Sequence, residues 1–232
     1  MKNAEFIHVH EARATTFMLL SSACWGMGTV MSKGVLGQIP PFTLLAIQLG
    51  SSVTFLGIVT LLKHPWKVQL LSVKHFLSWQ MFRFSLPGLL EPGIAYTLGH
   101  VGLVMTTAAN TLLINALEPV ITMSLAWLLL GEKIEILMLL TSLIAIAGIL
   151  ISLGFDPRLS SGMFLGDLLV LIGTASASLY VVLSYHGVKR VEPLTLALMQ
   201  QSFGLFWIVF IWLILERGEW YALSDVDLLT WL

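Results

Sequence analysis

The chain has 232 residues, of which 57% are hydrophobic and only 11% are charged, and its net charge is −1. A soluble domain carries about 25% charged residues, so this composition excludes an ordinary water-soluble fold, and the balanced charge gives no reason to expect nucleic acid as a partner. Cys24 is the single cysteine, which excludes an internal disulfide and a multi-cysteine metal site.

Seven apolar runs, each long enough to cross a membrane, follow one another along the chain. A hydrocarbon core about 30 Å thick needs about 20 apolar residues in a helix. The runs are continuous and too long for transmembrane strands, so we predict an all-α integral membrane protein, a polytopic helix bundle. An eighth helix is predicted to begin at Ser224, shortly before Leu232. The predicted spans are 14–35, 40–62, 84–105, 107–130, 134–154, 163–185 and 194–215.

The basic residues predict the orientation of these spans. With the N-terminus inside, nine of the 12 Lys and Arg residues lie in inner segments and three at outer ends, as the positive-inside rule favours. The longest connecting segment, 63–83, is basic and carries Trp66 and Trp79, which is typical of a cytoplasmic interfacial loop. We therefore expect a plasma-membrane protein whose N-terminal residues 1–13 are cytoplasmic, and whose acidic segment 216–227 lies outside.

An internal repeat is visible at an offset of 152 residues. Five spans separate the two copies, and an odd number of spans inverts the second copy in the membrane. Inverted repeats are a common build of secondary transporters, in which the site lies near the midplane at the repeat interface. The matching positions are Pro41, Thr43, Leu44 and Gln48 with Pro193, Thr195, Leu196 and Gln200, and upstream Ala23, Val30 and Ser32 with Ala175, Val182 and Ser184.

The segment 107–152 combines a helix rich in small residues, a proline within a helix, a Gly-Glu-basic turn and a helix ending near a glycine. These features are Ala108–Ala109, Pro119, Gly131-Glu132-Lys133 and Gly148. In this combination the segment resembles the EamA-type half of the drug/metabolite transporter superfamily. Further similarity lies at the start of the two halves, in Trp25-Gly26 with Lys33 and in Gly166-Asp167 with Tyr180.

The resemblance implies ten helices in two inverted five-helix halves, with both termini cytoplasmic. The first EamA-like repeat would occupy residues 14–154 and a linker residues 155–162. The second repeat would begin at residue 163 and is incomplete here, because 163–232 holds only two helices and the beginning of a third. Members with these marks move unrelated solutes, so the resemblance implies a transporter without naming its substrate.

Glu118 is the strongest candidate for a functional residue, because it lies near the centre of the fourth span. A charged side chain at mid-bilayer costs at least about 2.5–3.5 kcal/mol on insertion scales. Thr111, Asn115, Glu118 and Thr122 recur at i, i+4, i+7 and i+11, which places them on one helix face. This stripe predicts either a cavity in which the carboxyl handles a proton or a substrate, or interhelical hydrogen bonds that hold the bundle together.

Glu91 is the predicted partner of Glu118. Spans three and four form a tight hairpin, and at about 1.5 Å rise per residue the two carboxyls differ in depth by roughly one turn. Each is followed by a proline, Pro92 or Pro119, which frees a backbone carbonyl and can kink the helix. Two facing carboxyls could carry a proton. Alternatively, Glu91 turns toward the headgroups or pairs with Arg83.

The remaining candidates are each open between a place on the substrate pathway and a structural role. Tyr96 and His100 lie four residues apart on one helix face and suit an aromatic or cationic solute, or a structural hydrogen bond. Gln48 and Gln200 occupy equivalent repeat positions and could line the cavity or bond neighbouring helices. Trp25 could form a cavity wall or pack in the core. No cofactor is expected, and metal ligands do not cluster.

The predicted function is secondary transport of a small metabolite or drug-like solute by alternating access, with proton coupling or exchange. The sequence has no G-x-x-x-x-G-K-[ST] motif, so transport would draw on a gradient or a partner. The alternatives are a seven-helix receptor, a channel or an inactive transporter fragment. An intramembrane enzyme is not expected, since both acids precede proline and no His-Glu-x-x-His motif is present. The expected partners are the lipid bilayer and the solute, with a homodimer left open.

Overall fold

The computed structural model describes residues 2–63, 79–152 and 163–217. This part of the chain is almost entirely helical and contains no strand, which confirms the predicted all-α class. A 3₁₀ turn, Leu86–Leu89, and a π turn, Leu90–Ile94, connect the third and fourth helices. The helices are α1 Lys2–Val35, α2 Pro41–Lys63, α3 Trp79–Ser85, α4 Ala95–Met105, α5 Ala108–Asn115, α6 Glu118–Leu130, α7 Ile136–Ser152, α8 Phe164–Val188 and α9 Pro193–Leu215.

Apolar side chains cover the outer surface of the helices. Phe55 is 66% exposed, Ile144 70% and Phe206 73%, as expected where lipid rather than water is the solvent. Four stretches within the described residues are long and apolar enough to cross a membrane, and the predicted polytopic membrane fold is confirmed. These stretches are Pro41–Lys63, Ala108–Leu130, Phe164–Val188 and Pro193–Leu215.

Two of the predicted spans are interrupted, which corrects their description as continuous helices. The third span, predicted over 84–105, begins earlier, at Trp79, and leaves the α-helical path between Leu86 and Ile94. The fourth, predicted over 107–130, is interrupted by a turn at residues 116–117. A Glu-Pro pair adjoins each interruption, because proline lacks the N–H that would continue the helical hydrogen-bond ladder.

The other five predicted spans correspond to α1, α2, α7, α8 and α9. Helix α1 extends back to Lys2, so part of the predicted N-terminal tail is helical. The predicted turn after the fourth span is confirmed, since Gly131 ends α6 in the left-handed conformation at φ 69°, which glycine adopts without steric cost. The predicted linker 155–162 and the helix start at Ser224 lie outside the described residues.

The predicted repeat is visible in helix bounds and in a matching hydrogen bond. Helices α2 and α9 each have 23 residues and begin 152 positions apart, at a proline. Gln48 Nε2 donates to Ser32 Oγ at 3.0 Å, and Gln200 Nε2 donates to Ser184 Oγ at 3.0 Å. Residues that align in the sequence therefore make the same contact in both copies.

A side chain at the end of α9 caps the start of α2, which shows that the two equivalent helices run in opposite directions. Both carboxylate oxygens of Glu216 accept hydrogen bonds there, from the Phe42 amide at 3.2 Å and the Thr43 amide at 2.7 Å. At the equivalent position of α9, the Thr195 amide donates to the Glu192 carboxylate at 2.9 Å. Capping of this kind satisfies amides that a helix start leaves unpaired. An antiparallel pair of equivalent helices is what an inverted repeat requires.

Helices α4 and α8 approach closely through small residues. A Cβ atom at Gly102 would lie 2.7 Å from the carbonyl oxygen of Gly166, and one at Gly173 would lie 3.0 Å from that of Ala95. Gly173 begins a run of small residues, 173–178, and small residues of this kind let helix backbones approach closely. The contact brings α8 against the region in which the third and fourth spans are interrupted.

Candidate functional site

The first interruption is centred on Glu91. Its backbone is extended, at φ −142° and ψ 124°, within an otherwise helical path, and Pro92 follows it. The Leu90 carbonyl beside the break accepts a hydrogen bond from Ser176 Oγ of α8 at 3.1 Å. The Ala95 amide also donates to the Leu90 carbonyl, so this carbonyl has a partner inside the protein, as lipid requires. The Ser176 hydroxyl adds a second donor that ties the broken segment to α8.

The second interruption lies directly before Glu118. Helix α5 ends at Asn115 and α6 begins at Glu118, with Pro119 in its first turn, where no N–H is needed. Ser178 Oγ donates to the Glu118 carbonyl at 3.3 Å, and Thr174 Oγ1 donates to Asn115 Oδ1 at 2.8 Å. Thr174 and Ser178 lie four residues apart on one face of α8, whereas Ser176, which bonds the first break, lies on another face, so α8 contacts both breaks through different faces.

The two glutamates come together beside these breaks. Glu91 and Glu118 lie close enough for their charges to interact, and Tyr96 is within electrostatic reach of both. Tyr180 of α8 interacts with Glu91 and donates its hydroxyl to Gln200 Oε1 at 2.8 Å. We call Glu91, Glu118, Tyr96 and Tyr180 the carboxyl cluster. It joins four residues from three separate stretches of the chain.

Neither glutamate carboxyl accepts a hydrogen bond within the described ranges, and both side chains are half-buried. The predicted pairing of Glu91 with Arg83 is not formed there either. Among the described residues, the two carboxyls have no neutralising partner, and the segments that carry them are both bonded to α8. Such a pair can exchange a proton or receive a polar solute, since its oxygens are not committed to structural hydrogen bonds.

The predicted stripe on the fourth span divides between the two helix segments. Thr111 is buried and donates to the Thr107 carbonyl of its own helix at 3.0 Å. Asn115 bonds α8, as in the interhelical alternative, and Thr122 is half-buried on α6. The turn at residues 116–117 separates the first two positions from the last two, so the four do not lie along one regular helix.

The other predicted residues are spread around the bundle. The rings of Tyr96 and His100 lie 6.3 Å apart, and His100 Nδ1 is 3.2 Å from the Tyr96 carbonyl oxygen, while its Nε2 is buried without a partner among the described residues. Gln200 is 2% exposed and also donates to the Phe84 carbonyl at 2.9 Å, so it bonds neighbouring helices. Gln48 is exposed, and Trp25, 45% exposed on α1, lies outside the core.

A cavity of about 780 Å³ opens where α3 begins and α8 ends. Leu90, the residue before Glu91, is one of its lining residues, so the cavity lies beside the first interruption. None of the ten predicted site residues lines it. The lining residues are Trp79, Gln80, Arg83, Phe84, Leu86, Pro87, Leu90, Leu183, His186 and Arg190.

Sequence reasoning missed two contributors to this region. Tyr180 was noted for its family resemblance but not as a site residue, although it lies one helical turn before Ser184, which belongs to the repeat. Among the basic residues of the cavity, Arg190 entered the sequence analysis only through the orientation, and Arg83 through the orientation and as an alternative partner of Glu91. Arg83 and Arg190 are far apart in the sequence, and only the packing of α3 against the end of α8 brings them to one cavity.

The fold and the site define a polytopic helical membrane protein with an inverted repeat and a carboxyl pair between two interrupted helices. The model of the EamA-like transporter family matches residues 12–154, more than half of the chain. The chain therefore belongs to the EamA-like transporter family, and the predicted resemblance is confirmed. It is a multi-pass, transporter-like membrane protein. Searches of the curated proteins and of the solved structures found no match.

Proposed function

We propose that this protein is a secondary transporter that moves a small metabolite or drug-like solute by alternating access, with proton coupling or exchange. The observation that carries the proposal is the pair of Glu-Pro helix interruptions whose carboxyls lie together. Non-helical backbone at membrane depth is tolerated where it is buried in protein or lines a water-filled cavity. Secondary transporters build their midplane sites from such discontinuous helices.

The depth of the pair supports a midplane site. Glu118 lies 12 residues after the hairpin residue Thr106, which is roughly 18 Å along a helix at about 1.5 Å per residue. The middle of the hydrocarbon core lies about 15 Å from its edge. Glu91 reaches a comparable depth from the other arm of the hairpin.

The carboxyl pair gives the proposed coupling a chemical basis. A carboxyl can bind and release a proton, and an ionisable residue within a transmembrane segment is a candidate for a proton pathway. In our proposal, entry of water or of a solute changes the surroundings of the carboxyls and moves the proton. In our proposal Glu118 and Glu91 handle the proton, and Tyr96, Tyr180 and Asn115 border the solute.

The proposed setting is the plasma membrane with a cytoplasmic N-terminus. The positive-inside count supports this orientation, and it places the cavity that begins at Trp79 on the cytoplasmic side. Thr111, Thr122, His100, Gln48 and Trp25 remain candidates for the pathway rather than members of the carboxyl cluster, because they do not share its contacts. Gln200 acts through its bond to Tyr180.

Proton movement in proteoliposomes tests the proposal. A pH-sensitive dye is trapped inside, and small carboxylates, amines and neutral solutes are added one at a time outside. We expect at least one solute to change the internal pH in wild type, and expect E118Q and E91Q to abolish the change. E132Q is the matched control, because Glu132 lies in the exposed turn after α6. Equal proton movement in E118Q and wild type would refute the proposed role of the pair.

A further inference from the structure

The cavity beside the first interruption is lined in part by basic side chains. It includes Arg83, His186 and Arg190, and none of the described residues that line it is acidic. We call it the basic vestibule, defined by the ten lining residues given above. Arg83 belongs to α3 and Arg190 to the turn after α8, so two separate elements contribute its positive charge.

The two guanidinium groups are available for a ligand. Both arginine side chains are exposed, and neither has a carboxylate partner in the described part of the chain. A guanidinium offers five donors in a planar fork that matches the oxygens of a carboxylate or phosphate. The positive-inside rule accounts for basic residues at this end of the bundle, but basic residues on an exposed loop would satisfy the rule equally well. It does not account for their convergence on one concave surface.

Apart from Gln80, the rest of the vestibule lining is apolar and aromatic. Leu86, Pro87, Leu90 and Leu183 form apolar parts of the lining, and Trp79 stacks on Phe82 with ring centroids 5.4 Å apart. A volume of about 780 Å³ lies within the range of about 300–1,000 Å³ for small-molecule sites. Apolar walls beside a cationic group suit a solute with an apolar body and one anionic end.

We infer that the basic vestibule binds an organic anion, whose carboxylate or phosphate contacts Arg83 and Arg190 and whose apolar or aromatic body lies against Trp79 and the leucines. This names the substrate class of the proposed transporter and therefore rests on the proposed function. The position of the vestibule also suits a solute that moves on to the carboxyl cluster, because its lining residue Leu90 directly precedes Glu91 in the chain. A monovalent anion that crosses the membrane together with one proton carries no net charge.

Binding of three matched naphthalene probes tests the inference. The full chain is placed in nanodiscs of phosphatidylcholine, and binding of tritiated 2-naphthoate is competed with unlabelled 2-naphthoate, 2-naphthamide or 2-naphthylmethylamine. We expect saturable binding and at least tenfold weaker competition by the neutral amide and by the amine. Equal competition by all three would overturn the inference, and this comparison needs no variant protein.

Substitutions then locate the site. R83Q with R190Q is expected to weaken 2-naphthoate binding at least tenfold, and R83K with R190K to restore part of it, because lysine keeps the charge but loses the planar fork. R217Q removes a positive charge at the end of α9, outside the vestibule lining, and should leave binding unchanged. Unchanged binding in the double glutamine variant, with the fold verified by gel filtration, would overturn the assignment.

Two further measurements distinguish a failure of the anion site from a failure of the transport proposal. If phosphatidylglycerol added to the nanodiscs displaces 2-naphthoate, the vestibule holds a lipid headgroup and the solute reading is overturned. Selective 2-naphthoate binding without any counterflow in proteoliposomes would support the anion site and overturn the transport proposal. Counterflow of the amide or the amine as fast as that of 2-naphthoate would support transport and overturn the anion inference.

Discussion

Gly88 is the position at which a single methyl group should disturb the interrupted third span most. A Cβ atom there would lie 2.1 Å from the carbonyl oxygen of Gln200 and 2.7 Å from its Cα. Both are backbone atoms of α9, so no side-chain rotation can relieve the contact. A carbon and an oxygen need about 3.2 Å, so α9 must move by roughly 1 Å or the 3₁₀ turn must reform. Overpacking of this kind typically costs about 1–3 kcal/mol.

The G88A variant should therefore unfold about 1–3 kcal/mol more easily than wild type in detergent micelles, measured by loss of helical circular dichroism with increasing denaturant. The displacement should also break the 2.9 Å hydrogen bond from Gln200 to the Phe84 carbonyl. G57A is the matched control, because nothing lies within 4 Å of a Cβ at Gly57 on α2, and alanine favours a helix over glycine. If G88A is as stable as G57A, the close approach of the 3₁₀ turn and α9 is refuted.

Three further substitutions test other parts of the structure, each by the same unfolding measurement. Q200A should lower the free energy of unfolding by about 1–3 kcal/mol, and Q48A by less than about 1 kcal/mol. Gln200 is buried with three hydrogen-bond partners, whereas Gln48 is exposed with one. Equal effects would contradict this difference between the copies. E216A should lower the free energy of unfolding by about 0.5–2 kcal/mol, because α2 loses its cap. E135A, in the exposed connection before α7, should leave stability unchanged. An E216A variant as stable as wild type would refute the cap. S176A should cost about 0.5–1.5 kcal/mol by removing the donor to Leu90, and the exposed Ser51 of α2, changed to alanine, provides the comparison.

The helical class and the repeat could be read from the sequence because both rest on local patterns. Long apolar runs define the spans, and the 152-residue offset aligned Gln48 with Gln200 and Ser32 with Ser184. Those residues form the same hydrogen bond in each copy. A pattern of this kind survives because the same helix pair is built twice.

The helix interruptions were only partly predictable. A proline after Glu91 and Glu118 indicated a kink, but the number of residues that leave the helix depends on the neighbours that pack against the break. Ser176 and Ser178 of α8 donate to the carbonyls of Leu90 and Glu118 beside the breaks, and their position there is a tertiary property. Both serines belong to the small-residue run 173–178, and nothing in the local sequence connects that run to the broken segments.

Neither the cap by Glu216 nor the basic vestibule could be predicted from the sequence. Glu216 was placed in an exposed acidic segment, yet it is 7% exposed and bonds the start of α2. Its role depends on the antiparallel packing of α2 and α9. Arg83 and Arg190 likewise meet only because α3 packs near the end of α8. Contacts between distant elements leave no local signal in one sequence.

The most direct test of the central claim is counterflow through the carboxyl pair. Proteoliposomes are loaded with an unlabelled solute that moves protons in the dye assay, and uptake of the labelled solute is followed in wild type, E118Q and E132Q. Alternating access at this site predicts saturable uptake that is accelerated by internal solute in wild type and E132Q and is lost in E118Q. Uptake that rises linearly with concentration, or that E118Q leaves unchanged, would contradict it.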